Sequence, residues 1–197
     1  VEQVCKGGIK LVQLRLKDLP KSELGAIAYQ VKKVTDSFGA LLVINDNPEV
    51  AVEVGAYGVH LGMSDMHPKE ARRIVGNNTI IGGTANTFSR ILELHEYVDY
   101  FGVGPFRFTQ TKKNLSPVLG IEGYLSILHE MYLHKVRKPV YAIGGILGND
   151  IPTLMETGIH GIAVSSVISK SKAIIQTSQN LITVLNSYNY VNISNSR

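Results

Sequence analysis

Short runs rich in aliphatic and β-branched residues recur seven times along the chain, each followed by a segment whose apolar residues return at helical spacing. Strands are read at residues 9–16, 41–44, 57–61, 79–82, 100–103, 140–143 and 161–164, and helices near 21–38, 48–54, 68–75, 88–97, 121–134, 149–156 and 170–188. Alternation of this kind is the sequence sign of βαβ construction around a parallel sheet. The punctuation agrees. Phe38-Gly39 closes a helix, Pro68 suits a first helical turn, Thr87 caps a helical run and Gly158 follows another helix end. No residue-level repeat or low-complexity linker divides the 197 residues, so a single domain is expected.

Seven strands are one fewer than the commonest closed barrel of βα units requires. Residues 1–8, Val-Glu-Gln-Val-Cys-Lys-Gly-Gly, read as the tail of a helix with its glycine stop, which leaves that helix without a strand before it. The expectation is an α/β fold, a (β/α)8 TIM barrel whose first β-strand lies ahead of Val1, so that residues 1–197 form one N-terminally incomplete barrel domain. An open doubly wound sheet, which tolerates any strand count, is the alternative.

Composition narrows the function classes. With 44% apolar residues and a mean hydropathy of +0.07, the chain can bury a core, yet it has no apolar run near the roughly 18 residues of a spanning helix. The lone Cys5 cannot form an internal disulfide, and the first residues lack the zones of a secretory signal, so the cytoplasm is the expected setting. Lys170, Lys172 and Arg197 follow the last acid, Glu156, and supply three units of the net charge of +4. The excess therefore comes from an acid-poor tail and not from a basic stripe of the kind that binds nucleic acid. The six histidines are scattered without zinc spacing, and no Gly-x-Ser-x-Gly or Gly-x-Gly-x-x-Gly run occurs.

In a barrel, strands are buried on both faces and read as near-continuous apolar runs, so the polar departures are informative. Leu11-Val12-Gln13-Leu14-Arg15-Leu16-Lys17 alternates, which puts Gln13, Arg15 and Lys17 on one face and Val12, Leu14 and Leu16 on the other. With the apolar face against helices, the polar three aim into the lumen near the carboxyl end, where barrel enzymes place their sites. A polar edge strand facing water is the plainer alternative. Asp46 and Asp65 stand just past the carboxyl ends of adjacent strands, and two such carboxylates suffice for Mg²⁺ at a phosphate site. Each also has a local explanation, Asp46 in an Asx turn before Pro48 and Asp65 as the cap of the helix at Pro68.

Residues 104–120 follow a strand and carry no apolar period, which suits a lid or binding loop. Thr109 and Thr111 offer hydroxyls, and Lys112 and Lys113 offer cationic donors; a solvated basic loop is the plainer alternative. Gly144-Gly145 and Ser165-Ser166 end consecutive strands, at the places where barrels bind phosphate through backbone N–H groups.

Taken in order, five motifs resemble those of the thiamine phosphate synthase family. They are Val12-Gln13-Leu14-Arg15-Leu16-Lys17; Ile44-Asn45-Asp46; Gly58-Val59-His60-Leu61-Gly62 with Asp65; Asp99-Tyr100-Phe101-Gly102-Val103-Gly104-Pro105 followed by Thr109, Thr111 and Lys112; and Ala142-Ile143-Gly144-Gly145-Ile146. The resemblance covers nearly the whole chain. It implies a (β/α)8 barrel transferase of thiamine biosynthesis, which couples 4-amino-2-methyl-5-(diphosphooxymethyl)pyrimidine with thiazole phosphate and releases diphosphate with Mg²⁺.

The resemblance also implies roles. Gln13, Arg15, Lys17 and Asn45 would hold the pyrimidine diphosphate, Asp46 and Asp65 would bind Mg²⁺, and Thr84 and Lys112 would meet the diphosphate. Arg15, Lys17 and Lys112 would be the catalytic cations. Thr109 and Thr111 would touch the thiazole phosphate, whose phosphate would rest on Gly145 and the Ser165-Ser166 backbone. Thr84 stands where the family usually has Ser, Asn86 where His is frequent and Met63 where Gln is frequent. The expected partners are these small molecules, without nucleic acid or membrane; the oligomeric state is left open, a homo-oligomer included. Thiazole tautomerase relatives on the same fold replace the Pro of the Gly-Pro motif by His, so Pro105, Lys17 and Lys112 argue against that isomerase. A non-catalytic precursor-binding protein would tolerate loss of a metal ligand or lysine, and none is lost.

Overall fold

The computed structural model describes residues 1–108 and 117–194. Each apolar run finds a neighbour in register: β1 (Leu11–Leu14), β2 (Leu41–Asn45), β3 (Gly58–Leu61), β4 (Ile80–Ala85), β5 (Tyr100–Val103), β6 (Val140–Ile143) and β7 (Gly161–Ala163) form one parallel sheet in sequence order. Helix α1 (Glu2–Lys6) precedes them. Between the strands lie α2 (Lys21–Ser37), α3 (Pro48–Glu53), α4 (Pro68–Val75), α5 (Phe88–Leu94), α6 (Gly120–Leu133) and α7 (Ile151–Glu156), and α8 (Ser166–Ser169) and α9 (Ile174–Ser194) follow β7. Parallel crossovers are right-handed, so strands laid down in one unbroken direction carry their helices on one face. A doubly wound sheet needs the strand order to reverse, and here it never does.

The two faces of the sheet differ chemically. Leu42, Ile44, Val59, Leu61, Ile81, Phe101, Val103 and Ala142 point toward the helices and form a single buried core with Ile91, Leu94, Tyr124, Ile127, Ile151 and Leu154. Register pairs Asn45 with His60, His60 with Gly82 and Gly82 with Tyr100, so the opposite, inner face carries a polar row across four strands. Gln13 shares that face, since it pairs with Val43, two positions before Asn45.

The expected closure with eight strands is not seen. Among the described residues, β1 and β7 each pair with one neighbour, which leaves a seven-stranded parallel sheet with two edges. The first strand is also shorter than the alternation predicts, because its pairing with β2 ends at Leu14 opposite Ile44. Past that point β2 turns away at Asp46, whose φ is 64°, and Arg15, Leu16 and Lys17 leave the sheet. Conversely β4 runs on through Gly82-Gly83-Thr84-Ala85, a stretch whose small residues hide its strand character but which pairs with Tyr100 to Val103. The helix expected over 170–188 starts later, as α9 at Ile174, and a short unexpected helix, α8, lies ahead of it and ends at Ser169; between them the Ser171 hydroxyl accepts from Ala173 N at 3.0 Å and is bonded to Thr177 Oγ1 at 2.7 Å. Helix α1 ends at Gly7, as its sequence indicates.

Candidate active site

The carboxyl ends of β1, β2 and β3 bring three charged side chains together. Lys17 Nζ donates to Asp46 Oδ2 and lies 3.9 Å from Asp65 Oδ1. Asp65 in turn accepts from the Gly62 amide at 2.6 Å. Gly62 lets Asp65 come this close, because a Cβ would fall 2.6 Å from Asp65 Oδ2 and 3.8 Å from Asp46 Oδ1 and would push the carboxylate aside. Neither aspartate caps a helix. Asn47 caps α3 by accepting from Val50 N at 3.1 Å, and His67 caps α4 by accepting from Lys69 N at 3.2 Å. Asn47 and His67 therefore take the caps, and both carboxylates approach the Lys17 ammonium.

Beside this cluster on the inner face, Gln13 is exposed on β1, Arg15 is half-buried just after it, and Asn45 ends β2. Thr84, near the end of β4, is 4% exposed, with its Oγ1 2.9 Å from His60 Nε2. The His60 Nδ1 lies 3.1 Å from the Tyr100 hydroxyl, whose own acidity is suppressed chiefly by burial and also by neighbouring Tyr141.

On the far side of the sheet, Gly144 and Gly145 (φ 87° and 73°) turn the chain after β6. They sit against the start of the long loop: a Cβ on Gly144 would meet Pro105 Cβ at 2.7 Å, and one on Gly145 would meet the Arg107 carbonyl at 2.9 Å. Arg107 ties this corner together. Its guanidinium grips Asp150 with two bonds of 2.9 and 2.8 Å and also donates to Gly145 O at 2.9 Å. Hydrogen bonding and charge from Arg107, with help from the Leu147 amide and against burial, hold the Asp150 carboxyl below the usual carboxylate range. Ile143 pairs with Ala163, so Gly145 and Ser165 each stand two residues past paired positions on adjacent strands. Ser165 precedes α8 and Ser166 opens it. Thr109, Thr111 and Lys112 lie outside the described residues.

Sequence reasoning missed Arg107, Asp150 and Tyr100 as site neighbours. Tyr100 has a trace, an aromatic on the inward parity of its strand. Arg107 and Asp150 have none, being 43 residues apart with no shared pattern. A depression of about 450 Å³ lined by Tyr132, Lys135, Arg137, Lys138, Pro139 and His160 lies at the amino ends of β6 and β7, the opposite end from these polar groups.

The chain matches the thiamine monophosphate synthase family over residues 1–168. It belongs to that family. The thiamine monophosphate synthase match reaches from α1 into α8 and so spans all seven strands. Over 181 residues the chain is 47% identical to the thiamine-phosphate synthase of Bacteroides fragilis, covering 91% of this chain and 88% of that protein. The thiamine-phosphate synthase of Flavobacterium johnsoniae is 45% identical over 194 residues, covering 98% and 90%. Among solved structures, a thiamine phosphate pyrophosphorylase from Pyrococcus furiosus matches with a TM-score of 0.83 at 29% identity, covering 95% of this chain and 88% of that one.

Proposed function

We infer that the chain joins 4-amino-2-methyl-5-(diphosphooxymethyl)pyrimidine to thiazole phosphate, giving thiamine phosphate and diphosphate. It is a transferase of thiamine biosynthesis, as its family membership and relatives indicate. The observation that carries the site assignment is the meeting of Lys17, Asp46 and Asp65 at three strand ends. In the reaction, the bond between the pyrimidine methylene carbon and the diphosphate oxygen breaks, the electron pair leaves with diphosphate, and the thiazole nitrogen lone pair forms the new carbon–nitrogen bond. No proton has to move, so cations matter more than a general base. Arg15, Lys17 and Lys112 offset the charge that grows on the leaving group. Gln13 and Asn45 orient the pyrimidine, Thr84 contacts the diphosphate, and Thr109 and Thr111 contact the thiazole phosphate. Gly145, Ser165 and Ser166 offer backbone N–H groups to its phosphate.

The donor set fits Mg²⁺. Asp46 and Asp65 are hard oxygen donors that already face one cation, the Lys17 ammonium, and among the described residues no third acid, histidine or cysteine crowds them. That leaves positions for water and diphosphate oxygens, the coordination Mg²⁺ favours. Bound there, the ion supplies charge neutralisation for the leaving group. The same proposal takes the seven strands as seven places of a single (β/α)8 barrel domain, supported by the unbroken strand order and polar inner face, with the eighth place between β7 and β1. Among the described residues no helix is long and apolar enough to cross a membrane. Substrates this highly charged do not cross a bilayer unaided, which favours a cytoplasmic setting.

Incubating the purified protein with both precursors and Mg²⁺, and following thiamine phosphate and diphosphate together, tests the proposal. Equal yields of the two products are expected. Precursor binding without product, or isomerisation of the thiazole alone, would overturn it.

A further inference from the structure

Beneath the proposed diphosphate site, three inward-facing side chains are bonded in series. The Tyr100 hydroxyl is 3.1 Å from His60 Nδ1, and His60 Nε2 is 2.9 Å from Thr84 Oγ1. His60 is 6% exposed and Thr84 4%, so neither exchanges these contacts for water freely. The sheet makes room for the series. A Cβ on Gly82 would fall 2.5 Å from His60 Nδ1, and one on Gly102 would fall 2.9 Å from His60 Cε1. Register pairs His60 with Gly82 and Gly82 with Tyr100, while Thr84 stands one inward-facing position nearer the carboxyl end of β4. The series therefore runs from the sheet interior toward the mouth of the site.

A neutral imidazole carries one donor and one acceptor, so the series has a direction. In one arrangement Nδ1–H donates to the tyrosine oxygen, and Nε2 accepts the Thr84 proton. Thr84 then presents only lone pairs to the site. In the other, Tyr100 donates to Nδ1, the proton stands on Nε2, and Nε2–H donates to Thr84 Oγ1. The Thr84 O–H is then free to donate outward. Diphosphate oxygens only accept, so the second arrangement alone lets Thr84 bind them. A tyrosine hydroxyl keeps its proton at neutral pH, so Tyr100 is able to donate to Nδ1 at the start of the series.

Building on the synthase assignment, we propose that Tyr100 and His60 are positioning residues that hold His60 as its Nε2–H tautomer and thereby make the Thr84 hydroxyl a donor to diphosphate. Nitrogen-15 NMR of the histidine-labelled protein reads the tautomer without reference to activity. A protonated Nε2 with an unprotonated Nδ1 is expected for His60, and a protonated Nδ1 overturns the proposal. Inorganic diphosphate with Mg²⁺ is the binding probe, followed by calorimetry. Thr84→Val is expected to weaken it by about 10-fold or more, the usual loss for a hydrogen bond to a charged group, and Thr84→Ser to recover most of that loss. Tyr100→Phe is expected to raise KM for the pyrimidine diphosphate several-fold and to leave KM for the thiazole phosphate unchanged. A Thr84→Val protein that binds diphosphate as the parent does, or a Tyr100→Phe protein that shifts both KM values alike, overturns the proposal. If the parent makes no thiamine phosphate, the synthase assignment fails on that result alone, while the NMR and diphosphate binding still decide the tautomer and the Thr84 contact.

Discussion

At the scale of single residues, the site is held in place by backbone geometry as much as by charge. Asp46 occupies a left-handed conformation, φ 64°, which asparagine adopts at least as readily. Asp46→Asn therefore removes the charge without adding backbone strain. Turnover is expected to fall by about 100-fold or more, with a Tm change of no more than about 3 °C, read by steady-state kinetics across a Mg²⁺ titration and by thermal melting. Unchanged turnover with unchanged Mg²⁺ dependence would remove the metal assignment. Gly62→Ala places a Cβ 2.6 Å from Asp65 Oδ2, so Asp65 has to move and Mg²⁺-dependent activity is expected to drop even though no charged group is altered. The Arg107–Asp150 pair contributes to stability in acid instead. A carboxyl whose folded pKa lies below its unfolded one, near 3.9 for Asp, adds stability above the unfolded value and loses it as pH falls through the folded value. In urea unfolding, Asp150→Asn is thus expected to be less stable than the parent at neutral pH and to converge with it in strong acid; the gap is modest because the Arg107 side chain is half-exposed. A gap that widens on acidification would contradict this.

At the scale of elements, a buried hydrogen bond links α6 to β5, from the fully buried Tyr124 hydroxyl to Val103 O at 2.6 Å. Val103 is the last residue of β5, immediately ahead of Gly104-Pro105, where the long loop begins. The far end of that loop is tied back by Leu119 N and Gly120 N, which donate to the Pro105 and Phe106 carbonyls at 2.9 and 3.1 Å. Tyr124→Phe keeps the ring but removes the hydroxyl's bonds to Val103 O and to the Ile143 backbone on β6, at a cost of about 1 kcal/mol or somewhat more. The expected Tm loss is about 2–4 °C for a chain of this size, with kcat/KM unchanged once the protein is folded. Lost activity at unchanged Tm would mean that α6 positions the loop and does not merely pack beneath it.

At the scale of the whole molecule, the sheet has interior strands and two edges, and amide exchange should rank them. Amides in β3, β4 and β5, each flanked on both sides, are expected to exchange slowest by hydrogen-exchange mass spectrometry, with β1 and β7 faster. Slow exchange along β1 would mean that another strand covers its open edge. The alternation of strand and helix, the strand positions and the polar character of the carboxyl ends were all legible in the sequence, because side-chain period and turn chemistry are local properties. Even there, the reach of β1 was overestimated, since Arg15, Leu16 and Lys17 keep the alternation after the pairing with β2 has stopped. Asp46 and Asp65 could be named as a pair from their places after neighbouring strands, whereas the Lys17 ammonium facing both could not. Nor could the sequence reveal that His60 links Tyr100 to Thr84, or that Arg107 reaches Asp150 across 43 residues. Those partnerships depend on the register between strands and on the crossovers that bring distant segments together, and neither is written in the spacing along the chain; only the tertiary structure decides them.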